Sequence, residues 1–404
     1  MMALLKLGLV LAVLLMLLRR GVPLTWAMLG ASLGLGVLFA LPPLTLVNLI
    51  IGSVSSSDTI SLALAVALIM LLDGLFRESG LMRTLVDSLL GLLGDRRPAL
   101  AALPALIGFL PSPAWARFLA PVVEELCEGS GATPQRKAFI SYWYQHVTTY
   151  VSPLFPSLVL AAQLASLPVG SLIVALAPVA AFAMAVGAPV AFRLRPMVSA
   201  RIETGLPRAV LALGLVRGLL PIAAVVGLVL LRVNVAVALL VVAIGLAFAF
   251  RIEPRRLASV ARRSVVPLQV LMVVAIMVFK DVLVSTGSLQ EVPKALSLVG
   301  APSLIAMLGI ALLATLLTGG SQAGIAMALP LLVTLPGGSA PEPVALVFVW
   351  ALTGLMLSPA HPCLGLTLGH FDAQFGPVQR LVVAPQLLVA AVATAMYLLR
   401  SPGW

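Results

Sequence analysis

Apolar residues fall along this chain in long unbroken runs, with the charged residues gathered between them. The runs do not alternate apolar and polar positions with a period of two, so they read as helices apolar on every face. Ten are read as membrane spans: 3–18, 22–41, 58–76, 138–165, 169–192, 208–231, 233–250, 265–284, 344–368 and 377–399. A bilayer core of about 30 Å takes about 20 apolar residues in a helix. The run 44–54 is too short to cross and is expected at the interface. Two short amphipathic segments, 81–93 and 289–299, each lead into a stretch of a different kind.

Those stretches are apolar but broken. The first, 98–126, is cut at Leu110-Pro111-Ser112-Pro113. Ser accepts hydrogen bonds from the free N–H groups of a starting helix, and Pro fits the first helical position, so Pro113 should begin a helix capped by Ser112. Each half reaches only about 20 Å. A hairpin that enters the membrane and turns back explains the pattern; a single kinked span is the alternative. The second stretch, 302–335, breaks at Thr318-Gly319-Gly320-Ser321-Gln322. Two of the long spans are also broken near their middles, at Ser152-Pro153 and at Ser358-Pro359.

The order of elements repeats. A shift of about 206 residues lays Ser152-Pro153-Leu154-Phe155-Pro156 on Ser358-Pro359-Ala360-His361-Pro362, and five spans with one broken hairpin fall in each half. An odd number of spans puts the second half in the membrane upside down. With the amino terminus outside, eighteen of the 25 basic residues lie in inner loops and five in outer ones, the expected cytoplasmic bias. The sequence therefore predicts an all-α polytopic protein of the cytoplasmic (inner) membrane, in two inverted repeats, 1–200 and 201–404, with both termini outside.

Composition supports this class, since 61% of residues are hydrophobic and 10% charged. The net charge of +11 would suggest nucleic acid in a soluble protein. Here it marks topology and contact with anionic lipid, and no nucleic-acid partner is expected. The first run has its arginines after it and no cleavage site of small residues, so it reads as a retained span. Cys127 and Cys363 form no metal or disulfide pattern, and no metal is expected.

The candidate chemistry lies at the breaks. Four half-helices should start near mid-membrane, and a helix start with its free N–H groups attracts anions. Inverted repeats with discontinuous helices are a feature of secondary transporters. Arg117, one turn past the first tip, is a candidate anion grip, with an ion pair to Glu124 as the structural alternative. Ser112 and Pro113 at the first tip, Thr318, Gly319, Gly320, Ser321 and Gln322 at the second, and Ser152 and Ser358 at the broken spans, are candidate substrate contacts. His146 and His361 are candidate carriers of a coupling proton, His361 also a substrate donor, each with a structural role as its alternative. Tyr142, Trp143 and Tyr144 read as an interfacial aromatic belt, and Asp73 and Asp281 as solvated positions near span ends.

The Tyr-Trp-Tyr-Gln-His of 142–146, its Ser-Pro-x-x-Pro, the 318–330 tip and Leu357-Ser358-Pro359-Ala360-His361-Pro362-Cys363 resemble a ten-span prokaryotic membrane family known as domain of unknown function 401. More distantly the layout is similar to the ion-transporter superfamily of gluconate, citrate and dicarboxylate carriers. That resemblance implies an elevator mechanism, with a mobile transport domain from 58–165 and 265–376 and a scaffold that forms a homodimer. The dicarboxylate carriers have Ser-Asn-Thr at both tips and this chain does not, so their substrate and sodium residues do not transfer. The leading expectation is a secondary transporter of a small organic anion driven by Na⁺ or H⁺, with no other cofactor. A translocase for a lipid-linked phosphate is the alternative. An intramembrane serine hydrolase using Ser321 and His361 is a weaker one, because no other feature supports catalysis.

Overall fold

The computed structural model describes residues 2–110, 114–192, 205–287 and 303–400, and among them all regular structure is helical. In order the helices are α1 (Met2–Arg19), α2 (Leu24–Leu38), α3 (Pro43–Ser55), α4 (Ser57–Glu78), α5 (Leu81–Leu93), α6 (Arg96–Ile107), α7 (Ala114–Leu126), α8 (Pro134–Val147), α9 (Pro156–Leu164) and α10 (Val169–Val186). There follow α11 (Ala188–Ala191), α12 (Arg208–Leu230), α13 (Val235–Ala249), α14 (Pro254–Ser264), α15 (Pro267–Ser285), α16 (Ser303–Thr318), α17 (Ser321–Leu332), α18 (Pro341–Leu357), α19 (Pro362–Phe371) and α20 (Phe375–Arg400). The segment 289–299 lies outside the described residues.

Local chemistry sets many of these starts. Pro occupies the first turn of α3, α8, α9, α14, α15, α18 and α19, where its missing N–H costs nothing. Ser56 caps α4, Thr133 caps α8 and Asn234 caps α13, each side chain accepting a backbone N–H of the first turn. Among the described residues six stretches are long and apolar enough to cross a membrane: α4, α10 with α11, α12, α15, α18 with α19, and α20. The helices α2 and α13, within the predicted runs 22–41 and 233–250, are apolar but shorter. Both end in a left-handed turn, at Ala40 and Arg251, two residues past the helix. The run 44–54 lies within α3, whose apolar side chains are largely exposed, Leu44 at 72% and Ile51 at 60%.

Packing places the broken elements at the centre. α6 and α7 pair as a hairpin against α8, and α16 and α17 pair against α18. The halves then cross: α9 packs on α17, and α19 packs on α7 and α8. At the periphery α12 and α13 turn Leu213, Leu220, Ile244 and Phe248 outward, the character of a lipid-facing surface.

Two expectations are corrected here. Tyr142, Trp143 and Tyr144 are not an interfacial belt: all three are buried in the protein. Trp143 Nε1 donates to the Ala183 carbonyl at 3.0 Å, Tyr142 OH donates to the Met356 carbonyl at 3.2 Å, and Phe139 stacks on Trp143. α8 is packed by α6, α7, α19 and α20, so it has no lipid face on which a belt could sit. Asp73 is likewise buried rather than solvated, held by Arg77 at 2.8 Å and by the indole N–H of Trp115. That bond ties the second arm of the first hairpin to α4. Asp281 pairs with Lys280 at 3.2 Å and is half-buried.

Candidate functional site

Each broken span opens at its Ser-Pro-x-x-Pro, and the two serines do the same work. Ser152 Oγ accepts the Leu154 N–H at 3.2 Å and donates to the Phe109 carbonyl at 3.0 Å. Ser358 Oγ accepts the Ala360 N–H at 3.1 Å and donates to the Leu316 carbonyl at 2.6 Å. Phe109 and Leu316 lie at the ends of α6 and α16, where carbonyls lose their intrahelical donors. The serines therefore pin each break to the neighbouring hairpin, and neither hydroxyl lines the cavity described below. The new helices begin at the second proline of the motif, Pro156 and Pro362, rather than at Ser152-Pro153 and Ser358-Pro359. The first proline lies in the turn that the serine hydroxyl closes.

Close approach at these seams relies on glycine. A Cβ on Gly108 would collide with the Gln145 carbonyl and the Thr148 hydroxyl. In the other half the glycine sits on the broken span, where a Cβ on Gly354 would meet the Leu312 carbonyl and Thr315. At the second tip, Gly319 has φ +68° and abuts the backbone of Ala360 and His361. Only glycine adopts that φ at no steric cost. Thr318 Oγ1 donates to the Ala314 carbonyl at 2.8 Å and accepts the Gly320 N–H at 3.3 Å, shaping the tip.

A cavity of about 220 Å³ lies where the tip meets the two breaks. Of the residues expected from sequence, Gly319, Gly320, Ser321, Gln322, His146 and His361 line it. The first turns of α9, α17 and α19 border it through Pro156, Ser321, Pro362 and Cys363, and first turns carry N–H groups that a helix cannot satisfy itself. Ser321 Oγ lies 2.7 Å from Ser157 Oγ, which joins α17 to α9. Among the lining residues that were not expected are Gln145, Thr149, Gln269 and Cys363. Gln145 follows directly from Tyr144 in an aromatic run, and its buried Oε1 has no hydrogen-bond partner among the described residues. A buried, unpaired acceptor on a cavity wall marks a place for a ligand donor or cation.

The two imidazoles meet edge-on, their rings inclined at 73°. His146 Nδ1 is 2.7 Å from the Tyr142 carbonyl, His361 Nδ1 is 3.1 Å from the Gly319 carbonyl, and the two Nε2 atoms are 3.0 Å apart. A carbonyl only accepts, so both Nδ1 atoms carry hydrogen. Each neutral ring then presents a bare Nε2 to the other, and a cation between them is needed to make the contact attractive.

Arg117 stands elsewhere. It is exposed on α7 and does not line the cavity. The alternative ion pair with Glu124 is not formed among the described residues: Glu124 engages Lys137 at 3.5 Å and His370 at 3.0 Å instead. Ser112 and Pro113 lie outside the described residues.

No curated protein matches the chain. A family model described as "protein of unknown function (DUF401)" matches residues 2–399, nearly the whole sequence, and the chain belongs to that family.

Proposed function

We propose that this protein is a secondary transporter of a small organic anion, a carboxylate or a phosphate ester, in the cytoplasmic membrane. The observation that carries the reading is the cavity bounded by the Gly319–Ser321 tip and by the starts of α9 and α19. Helix starts supply positive potential and N–H donors there without a cationic side chain. The cavity, about 220 Å³, suits a small anion and is too small to enclose a polyprenyl chain. The lipid-linked phosphate reading is accordingly the weaker one. So is the serine hydrolase, because the Ser321 hydroxyl pairs with Ser157 and both ring nitrogens of His361 face other partners.

The transporter belongs, in this reading, to the elevator class similar to the ion-transporter superfamily. Two inverted repeats of five spans would account for the matched serine bonds, Ser152 to Phe109 and Ser358 to Leu316. They would also account for the crossing of α9 onto α17 and of α19 onto α7 and α8. The transport body would be 58–165 with 265–376, carried on a dimeric scaffold. The coupling ion in this reading is H⁺ or Na⁺. Purified protein in proteoliposomes, given labelled small carboxylates and phosphate esters under imposed H⁺ or Na⁺ gradients, should take up at least one of them saturably. Gln322→Ala should reduce that uptake about tenfold or more, a loss of about 1.4 kcal/mol at the site. Uptake of none of them under either gradient would count against the proposal.

A further inference from the structure

The imidazole pair has a third neighbour. Cys363, in the first turn of α19, lines the same cavity, and its Sγ forms with one ring nitrogen of each histidine a cluster whose members are all within 4.8 Å of one another. We infer that His146, His361 and Cys363 form a binding site for a soft divalent transition-metal ion of the zinc class. Such an ion goes beyond the transport reading and does not depend on it.

Three features carry the assignment. The first is tautomer. Each Nδ1 is turned to a backbone carbonyl, the outer-shell arrangement that fixes ligating histidines with Nε2 free for the metal. The second is spacing. Two imidazoles on a tetrahedral ion with bonds of 2.0–2.1 Å hold their nitrogens about 3.3 Å apart, and here they are 3.0 Å apart. The third is ligand type. Two imidazoles and one thiolate form a donor set that suits Zn²⁺ and its relatives and does not suit Mg²⁺ or Ca²⁺. On binding, the Cys363 thiol gives up its proton to solvent and the sulfur forms the third bond. The fourth position opens onto the cavity, where an anionic oxygen could complete it. A proton shared between the two Nε2 atoms would also relieve their contact, but it would leave the thiol without a part.

Cobalt(II) separates these cases. Full-length protein in detergent, stripped with a chelator under reducing conditions, is titrated with Co²⁺. One equivalent should give the intense visible bands of a four-coordinate ion and a near-ultraviolet thiolate-to-cobalt band, both bleached by Zn²⁺. Cys363→Ser should lose the near-ultraviolet band, and His146→Ala and His361→Ala should each weaken binding about tenfold or more. Cys127→Ser should change nothing. Wild-type protein with no thiolate band in excess Co²⁺, or a band that survives in Cys363→Ser, would overturn the site. Should a histidine variant not elute as a single species, Zn²⁺ protection of Cys363 from a maleimide in the Cys127→Ser protein supplies the second readout. Protection supports the site, and unprotected labelling overturns it. Both readouts are of binding, so failure here leaves the transport proposal to its own experiment.

Discussion

Two hydroxyl groups hold the breaks in this protein, and each is the hinge between a turn and a hairpin. Removing one leaves a carbonyl of α6 or α16 without its donor in a setting with little water to replace it. Ser152→Ala and Ser358→Ala are each expected to cost about 1–2 kcal/mol and to lower the thermal unfolding midpoint of the detergent-solubilised protein by a few degrees. Unchanged midpoints in both would contradict the pinning role. Arg117 makes the opposite case. The sequence singles it out as the one charge near a hairpin tip, because a cation at that depth is costly. In the structure the side chain is exposed on α7 and stands outside the cavity. Arg117→Ala is expected to leave the KM for the transported anion within about threefold of wild type, a difference of less than 1 kcal/mol. A tenfold rise would restore it to the site. Sequence signals of this kind locate breaks well, because Ser-Pro and Gly-Gly act on their own backbone. They locate partners poorly. Cys363 meets His146 only after the halves cross, and no spacing motif can announce that pair.

The elements were legible where length and capping decide them. The Ser-Pro-x-x-Pro motifs and the Thr-Gly-Gly-Ser tip do mark breaks, and their second prolines, rather than their first, begin the new helices. What pattern could not supply was which helix is wrapped on all sides. The same aromatic run serves as a belt on a lipid-facing helix and as packing on an enclosed one, and α8 is enclosed. The contact that most defines the arrangement of elements is between α9 and α17, through Ser157 and Ser321 at 2.7 Å. A Ser157→Cys, Ser321→Cys pair, in a chain with both native cysteines replaced by Ser, should close to a disulfide under mild oxidation, since side-chain atoms this close allow the bond geometry. A two-dalton loss in intact mass reads it directly, and free thiols after oxidation would contradict the crossing of the halves.

At the scale of the whole molecule the account makes one claim, that the cavity between the tip and the breaks is a carrier's binding site served from both faces of the membrane. The proposed inverted repeats would explain why two distant stretches of one chain build it together, and the proposal that they do so in alternation is what separates a carrier from a static pore or an enzyme. Cys363 reports on this without knowledge of the substrate, since it lines the cavity and the only other cysteine is Cys127. The decisive measurement is labelling of Cys363 in Cys127→Ser protein, stripped of metal with a chelator, by a membrane-impermeant maleimide added in turn to right-side-out and inside-out vesicles. The account predicts labelling from both faces, with the balance between them shifted by an imposed H⁺ or Na⁺ gradient. Labelling from one face alone under every gradient, or from neither, would contradict it.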